Sequence, residues 1–484
     1  MPALLRRTTY ALTITLLTWH FASTAPVAVA QSAVSPSVQQ FVRVDAPVVL
    51  LRNVRIVDGT GGSPAENQSL LIRDGRIDAL GPADEIAAPA EAEILDLEGG
   101  TVIPGFVGMH NHTFYMTSRR SIQLNHSAPR LYLASGVTTV RTTGSMSPYA
   151  ELNLRAAIDD GEVPGPKTVA AGPYITGGTG VSGMSRISGE EDARRLASYW
   201  AQEGVTWLKA YTDISRDDLE MLIDEAHEHG VKVTAHLCSV TFREAVERGI
   251  DNLEHGLFAN SDFHPDKVPD ECPPDHFERL AEVDIDGAEV QKTIDIMIEN
   301  GVALTSTQAV YELFVPNRPP LEDRVLKAMS DEVREEYLNT RNAVSDPANE
   351  RIFRIGADLF RKAQQFEYKF VQSGGLLAAG VDPTGYGGAL PGFGDQRNYE
   401  LLIETGFTPV EAIQIMTANG ARILGVLDDR GTIEVGKAAD LIVIDGDPIA
   451  RPAEIRNVDI VFKDGLGYDS AALIESVNGL VGVR

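Results

Sequence analysis

Two of the chain's ten histidines, His110 and His112, stand one residue apart in VIPGFVGMHNHTFY, residues 102–115. In an extended strand the side chains of i and i+2 share a face, so this pair can grip one metal ion. His227 and His229 in DEAHEHG repeat the spacing near the end of a helical pattern. There two residues lie about 200° apart around the axis, which spoils chelation. That pair suits the favourable charge at a helix C-terminus instead. Other metal-competent groups end other strand-like runs: Lys209 in GVTWLKAYT, His236 in VKVTAHL, His255 in NLEHGL and Asp382 in GLLAAGVD. A single strand-end histidine is more often structural. Five metal-competent groups and one lysine at the same end are much harder to ascribe to chance.

The lysine is the odd member. An ammonium beside metal cations is repulsive, but an amine that captures CO2 becomes a carbamate, an anionic two-oxygen ligand able to bridge two metals. Histidine, carboxylate and carbamate donors suit borderline divalent ions: Zn2+ first, with Mn2+, Co2+ or Fe2+ also fitting. The competing reading is a plain lysine snorkelling its ammonium to solvent.

These residues need a scaffold that brings strand ends together. The runs TVIPGFVGMH, GVTTVRTTG, PKTVAAGPYIT, GVTWLKAYT, VKVTAHL, NLEHGL, ALTSTQ and GLLAAGVD alternate with helical stretches. The clearest helix is SRDDLEMLIDEAHEHG, where Ser215 can cap, acids fill the first turn and Gly230 can stop it. Eight strands with helices between them predict an α/β fold, a (β/α)8 TIM barrel over residues 104–424, whose C-terminal strand ends converge on one site. An open doubly wound sheet is the runner-up, but no glycine-rich nucleotide loop follows the first strand. Short β-like runs with Asp-Gly turns occupy residues 45–103 and return over 425–470, which predicts one small β-sandwich domain made from both chain ends. The Pro- and Asp-rich stretch 259–287 and the polar stretch 316–349 read as long irregular loops of the kind that serve as lids.

Residues 1–30 read as a signal peptide: Arg6 and Arg7, an apolar core, then Ala28-Val29-Ala30 before Gln31. The expected location is periplasmic or secreted, with no membrane contact once the leader is cleaved. Cleavage removes two arginines and no acids, moving the formal charge from −27 to −29. So acidic a surface disfavours nucleic acid and anionic lipid. Cys238 and Cys272 are too few for a disulfide scaffold; one bond is compatible with an oxidising compartment, and the sequence leaves it open.

The pieces PGFVGMHNH, LKAYTD, VTAHL, NLEHG, AAGVDPTG, TPVEAIQIMTANGARILG and GTIEVGKAADLIVID run through nearly all of the mature chain. In this order they resemble the amidohydrolase superfamily, especially its imidazolonepropionase-like and Xaa-Pro dipeptidase-like branches. The resemblance implies two divalent metal ions. His110, His112 and Asp382 would hold the more buried ion, His236 and His255 the more exposed one, and carboxylated Lys209 would bridge them. It implies amide hydrolysis by a metal-bridged hydroxide, with Asp382 taking the proton and passing it to the leaving nitrogen. Small-molecule amides, such as dipeptides or N-acyl amino acids, are the implied substrates, and a homo-oligomer is compatible because relatives often assemble.

Departures narrow this. Lys209 is followed by Ala-Tyr-Thr-Asp rather than a Ser-Gly-Gly-like segment, and the stretch after Asp382 lacks a histidine that several relatives carry. Mononuclear deaminase-like members place an acid where this chain has Ser239. The alternatives are a mononuclear cyclic amide hydrolase or deaminase, and a non-catalytic exported binding protein. Tyr115, Tyr174, Tyr211 and Arg397 are candidates for substrate contact, Arg397 as a bidentate carboxylate clamp. The plainer reading is packing for each tyrosine and a surface ion pair for Arg397, with Tyr211, two residues past Lys209, the nearest to a functional role. His126, His264 and His276 read as structural or solvated.

Overall fold

The alternating runs at the two chain ends are realised as one nine-stranded sheet. In the computed structural model, residues 34–178, 183–349, 351–385 and 387–483 are described; the expected leader lies outside them. Across the sheet the order is Val42–Val44, Leu466–Asp469, Val458–Lys463, Leu441–Ile444, Thr101–Pro104, Val48–Ile56, Ala65–Arg73 and Arg76–Pro82, with Glu93–Asp96 paired to Val48–Ile56. C-terminal strands are thus interleaved with N-terminal ones. Leu441–Ile444 pairs antiparallel with Thr101–Pro104. Leu51, Ile72 and Val102 from the first end pack with Leu441, Ile460 and Phe462 from the other in one buried cluster.

The stretch TVIPGFVGMH is two strands rather than one. Thr101–Pro104 belongs to the outer sheet and Phe106–Asn111 begins the parallel array. Gly105 is the pivot, and a Cβ there would stand 2.2 Å from the Thr138 hydroxyl oxygen. The Pro-Gly break therefore marks a change of sheet, and only glycine fits it.

Eight parallel segments follow in chain order: β1 Phe106–Asn111, β2 Val137–Thr142, β3 Lys167–Val169 continued by Ala171–Thr176, β4 Trp207–Ala210, β5 Lys232–Ala235, β6 Asn252–Glu254, β7 Ala303–Ser306 and β8 Leu377–Ala379. Each pairs with the next, β3 through its first piece to β2 and its second to β4. Among the described residues no ladder joins β8 to β1. Two backbone bonds cross near the strand ends instead, from the Asp382 N–H to the His110 carbonyl at 2.8 Å and from the Met116 N–H to the Thr384 carbonyl at 3.0 Å. Gly380 permits that approach, since a Cβ there would lie 2.1 Å from the His110 nitrogen.

Helices cover the array. In Arg216–Glu228 the Ser215 side chain accepts from the Asp218 N–H, and Leu219, Leu222, Ile223 and Ala226 form the buried stripe. His227 pairs with Asp251 at 2.9 Å and His229 is the C-cap, so neither belongs to a metal cluster. The stretch 316–349, expected to be irregular, contains helices Asp323–Ala328 and Asp331–Ser345. Val333, Tyr337 and Val344 lie buried at helical spacing, but acids and arginines between them dilute the pattern. The stretch 259–287 is largely irregular, with one short helix, His276–Leu280.

Candidate metal centre

The strand ends bring the predicted donors together. Asp382 is central: its Oδ1 lies 3.1 Å from His112 Nε2 and 3.6 Å from His110 Nε2, and its Oδ2 lies 3.8 Å from His255 Nδ1. Donor atoms of His110, His255 and Asp382 all fall within 4.8 Å of one another. The His236 ring is 4.3 Å from that of His255, centroid to centroid, and half-buried at the mouth of the cluster. Two of these residues adopt backbone conformations that L-residues seldom hold. His255 has φ +67° and Asp382 φ +51°. Left-handed backbone at a non-glycine residue costs about 1 kcal/mol or more, and such strain gathers at functional sites.

Lys209 lies on β4, fully buried, and its Nζ has no hydrogen-bond partner. Burial lowers its pKa to about 8; Glu254 and Asp382 oppose that fall and Arg141 adds to it. A neutral, unpartnered amine is the form that combines with CO2. Burial likewise lowers His110 to about 4 and His236 to about 3, and drives His255 well below its ordinary value. Neutral imidazole is the ligating form. Burial opposes ionisation of Asp382, but His110, His112 and Lys209 together hold its carboxyl at about 2. Neutral imidazoles, one ionised carboxylate and an orphaned buried amine fit a divalent-metal site.

Around this cluster is a shell that sequence reasoning missed. His110 Nδ1 is 2.7 Å from Glu254 Oε2, and Glu254 Oε1 is 2.5 Å from Arg141 Nη2. Thr234 and Asn252 donate to the same carboxylate. Arg141 also donates through Nε to the Met109 carbonyl at 2.8 Å and lies over the Trp207 ring. The Thr307 hydroxyl meets His255 Nδ1 at 2.7 Å. The signal for this shell was present as charge inside strand-like runs, Arg141 in VTTVRTTG and Glu254 in NLEHGL.

The candidate substrate contacts divide. Tyr174, favoured as a packing residue, brings its hydroxyl to 3.2 Å from His112 Nε2 and so belongs to the site. Tyr211 packs edge-on against Tyr174 and lies 4.9 Å from the His236 ring. Tyr115 is buried and donates to the Gly387 carbonyl, a packing role. Arg397 is neither a surface residue nor a free clamp. Glu312 takes its Nε and Nη2 at 3.0 and 2.7 Å, and Glu400 takes Nη1 at 2.6 Å, so its donors are already committed within a half-buried network. Tyr311, not anticipated, stacks on Phe258 and packs edge-on against His255. His264 pairs with Asp275, buried His276 meets the Phe258 carbonyl and His126 is exposed; none joins the cluster. Ser239 is turned to structure, its hydroxyl donating to the Ile214 carbonyl at 2.5 Å.

The chain has relatives among known proteins, in sequence and in fold. Imidazolonepropionase from Geobacillus sp. (strain WCH70) is 25% identical over 420 residues, covering 78% of this chain and 84% of that protein. A Xaa-Pro dipeptidase solved with bound methionine superposes with a TM-score of 0.63 at 21% identity, covering 87% of this chain and 100% of that one. The bottromycin amidohydrolase structure gives 0.68 at 19% identity, covering 91% and 92%. Both structural likenesses are matters of fold; the imidazolonepropionase and the Xaa-Pro dipeptidase bear the names of the branch that the motifs pointed to. The amidohydrolase family model matches residues 101–466, from the last N-terminal strand of the outer sheet to the start of its last C-terminal strand, and the chain belongs to that family.

Proposed function

We propose that the protein is an exported, binuclear metal-dependent hydrolase of amide bonds in small molecules. The observation that carries this reading is Lys209, a buried and unpartnered amine among neutral histidines and one ionised aspartate. His110, His112 and Asp382 would hold one ion, His236 and His255 the other, and Lys209 as its carbamate would bridge them. The eight strands are read as a (β/α)8 barrel, with Gly380 and Asp382 as the seam. Two bound cations, Zn2+ by the donor chemistry, supply an activated water at neutral pH and polarise the scissile carbonyl.

The rest falls to the chain's own groups. Asp382, ionised and touching both strand-end histidines, accepts the proton released as water attacks and returns it to the leaving nitrogen. Burial raises the Tyr174 phenol well above its ordinary range, with Asp382 adding to the rise, so it remains a neutral donor. Together with Tyr211 it forms a wall on which an amide oxygen or a terminal carboxylate can be oriented.

Metal analysis combined with a substrate panel tests this. Protein loaded with Zn2+, Mn2+ or Co2+ in the presence of bicarbonate should hold about two ions per chain. It should release amine from dipeptides or N-acyl amino acids. One ion per chain with turnover of cyclic amides or amino-purines alone would replace this reading with the mononuclear one.

Export rests on the leader-like first thirty residues and on the bond between Cys238 and Cys272, a linkage typical of oxidising compartments. N-terminal sequencing of the protein recovered outside the cytoplasm should begin at Gln31. Recovery of an intact Met1 would overturn the cleavage reading.

A further inference from the structure

His236 directly follows β5 and opens a short turn, residues 236–240, that leads into the helix Phe242–Glu247 capped by Thr241. On one side the turn is tied to the end of β4 and the chain after it: the His236 N–H donates to the Ala210 carbonyl and the Ser239 N–H to the Thr212 carbonyl. On the other side it is covered by the irregular segment 261–275. Ser261 Oγ donates to the Cys238 carbonyl at 2.7 Å, and Lys267 Nζ donates to the Ser239 carbonyl at 2.6 Å. Between them runs the disulfide, from Cys238, buried two residues past His236, to exposed Cys272.

The covering segment is held mainly by polar contacts. Its start is anchored by Asp262, whose carboxylate accepts from the Arg243 N–H and the Thr293 hydroxyl. From Asp262 to Arg279 Pro273 is the one buried apolar residue among the described residues; Phe263 and Phe277 pack partially and Val268 is half-exposed. Arg216 grips Asp270 through Nε and Nη2, a pair at the solvent boundary. A segment with few buried apolar contacts opens at small cost, and its motion passes to whatever it covers. Here the disulfide closes a loop spanning 34 positions, which restricts open states on the order of a hundredfold.

We propose that the Cys238–Cys272 disulfide is a positioning device for His236: it fastens the 261–275 segment over the turn and so holds the imidazole of the more exposed metal position in place. This rests on the reading of His236 as a metal ligand. The buried position, built on β1 and the β8 end, lies outside the fastened turn and should not depend on the bond. A bond that merely stabilised the fold would lower the melting temperature and leave both metal positions alike.

The test compares the metal-free wild-type protein with the double variant Cys238→Ser/Cys272→Ser by Co2+ titration and amide exchange. In the variant the first Co2+ should bind within about threefold of wild type, and the second about 10–100-fold more weakly, the range seen when a ligand loses its support. Exchange of peptides over 236–240 should rise at least tenfold in the absence of metal, while peptides over 106–112 stay unchanged. Two Co2+ ions bound with wild-type affinity, or faster exchange confined to 261–275, would overturn the proposal. If the wild type itself takes one Co2+, the binuclear reading fails and exchange over 236–240 alone decides this one. Should the double variant not fold, the metal-free wild type is compared before and after reduction of the disulfide under native conditions. Reduction should move exchange over 236–240 and second-ion affinity in the same direction as the double variant, and no change in either would overturn the proposal.

Discussion

The Lys209→Ala protein is expected to lose about a thousandfold in amide hydrolysis and at least one bound metal while keeping its fold. The magnitude follows from the several kcal/mol a Lewis-acid pair contributes to the transition state, each 1.36 kcal/mol being a tenfold change in rate. Stability should move differently. In the metal-free protein the Lys209 amine is fully buried without a hydrogen-bond partner, a costly arrangement. Its removal should therefore leave the melting temperature of the metal-free form unchanged or raised, against the usual trend for a large buried side chain. The metal-loaded variant should lose most of the stabilisation that metal gives the wild type. A short carboxylic acid added to the variant should restore part of both metal content and rate, because a free carboxylate can occupy the vacated space and bridge two ions. Metal analysis, calorimetry and initial rates, each with bicarbonate present during loading, check these outcomes together. A variant with two metals and wild-type turnover would leave Lys209 a plain lysine, and the site would have to be rebuilt around the histidines and Asp382.

The donors were legible in the sequence because two weak signals coincide in them: a metal-competent side chain, and a position at the end of a strand-like run. Their convergence on Asp382 follows from the parallel order of the strands together with the close approach at Gly380 that sets Asp382 against His110. What supports them was hidden for a physical reason. Arg141 and Glu254 sit inside strands, where periodicity says which face a side chain takes but not which charge on another strand it will meet. Tyr311 lies on a short helix after β7, and only the stacking against Phe258 directs it toward His255. The division of TVIPGFVGMH at Gly105 was invisible because both halves are equally apolar and the choice of sheet is tertiary. Arg397 is the ion-paired side chain the plainer reading expected, but half-buried. Glu400, three residues on, was a visible partner, whereas Glu312 lies 85 positions away and nothing local announced it. The bond between Cys238 and Cys272, 34 positions apart, was undecidable on the same ground.

The second large effect is expected at Glu254, and it separates folding from metal binding. The carboxylate is fully buried, held well below its usual range: burial raises its pKa, but Arg141, Lys209 and His110 together outweigh that. It performs two tasks at once. Through Oε1 it neutralises the buried guanidinium of Arg141, and through Oε2 it accepts from His110 Nδ1, leaving Nε2 turned toward Asp382. Removing one partner of a buried ion pair leaves an uncompensated charge, so Glu254→Leu should destabilise the protein by about 3–5 kcal/mol. Losing the acceptor that fixes a ligating imidazole should weaken metal binding about 10–100-fold. The double variant Arg141→Met/Glu254→Leu removes both buried charges, and apolar replacement of a buried pair is commonly near neutral for stability. Its melting temperature should therefore recover most of the loss, whereas metal affinity and rate should stay low, because His110 still lacks its acceptor. Denaturant unfolding of the metal-free forms, read beside metal titration, distinguishes the two tasks. If affinity returns together with stability, Glu254 serves Arg141 alone and the orientation of His110 is set by the strand. If neither returns, the pair and the histidine form one unit that cannot be divided.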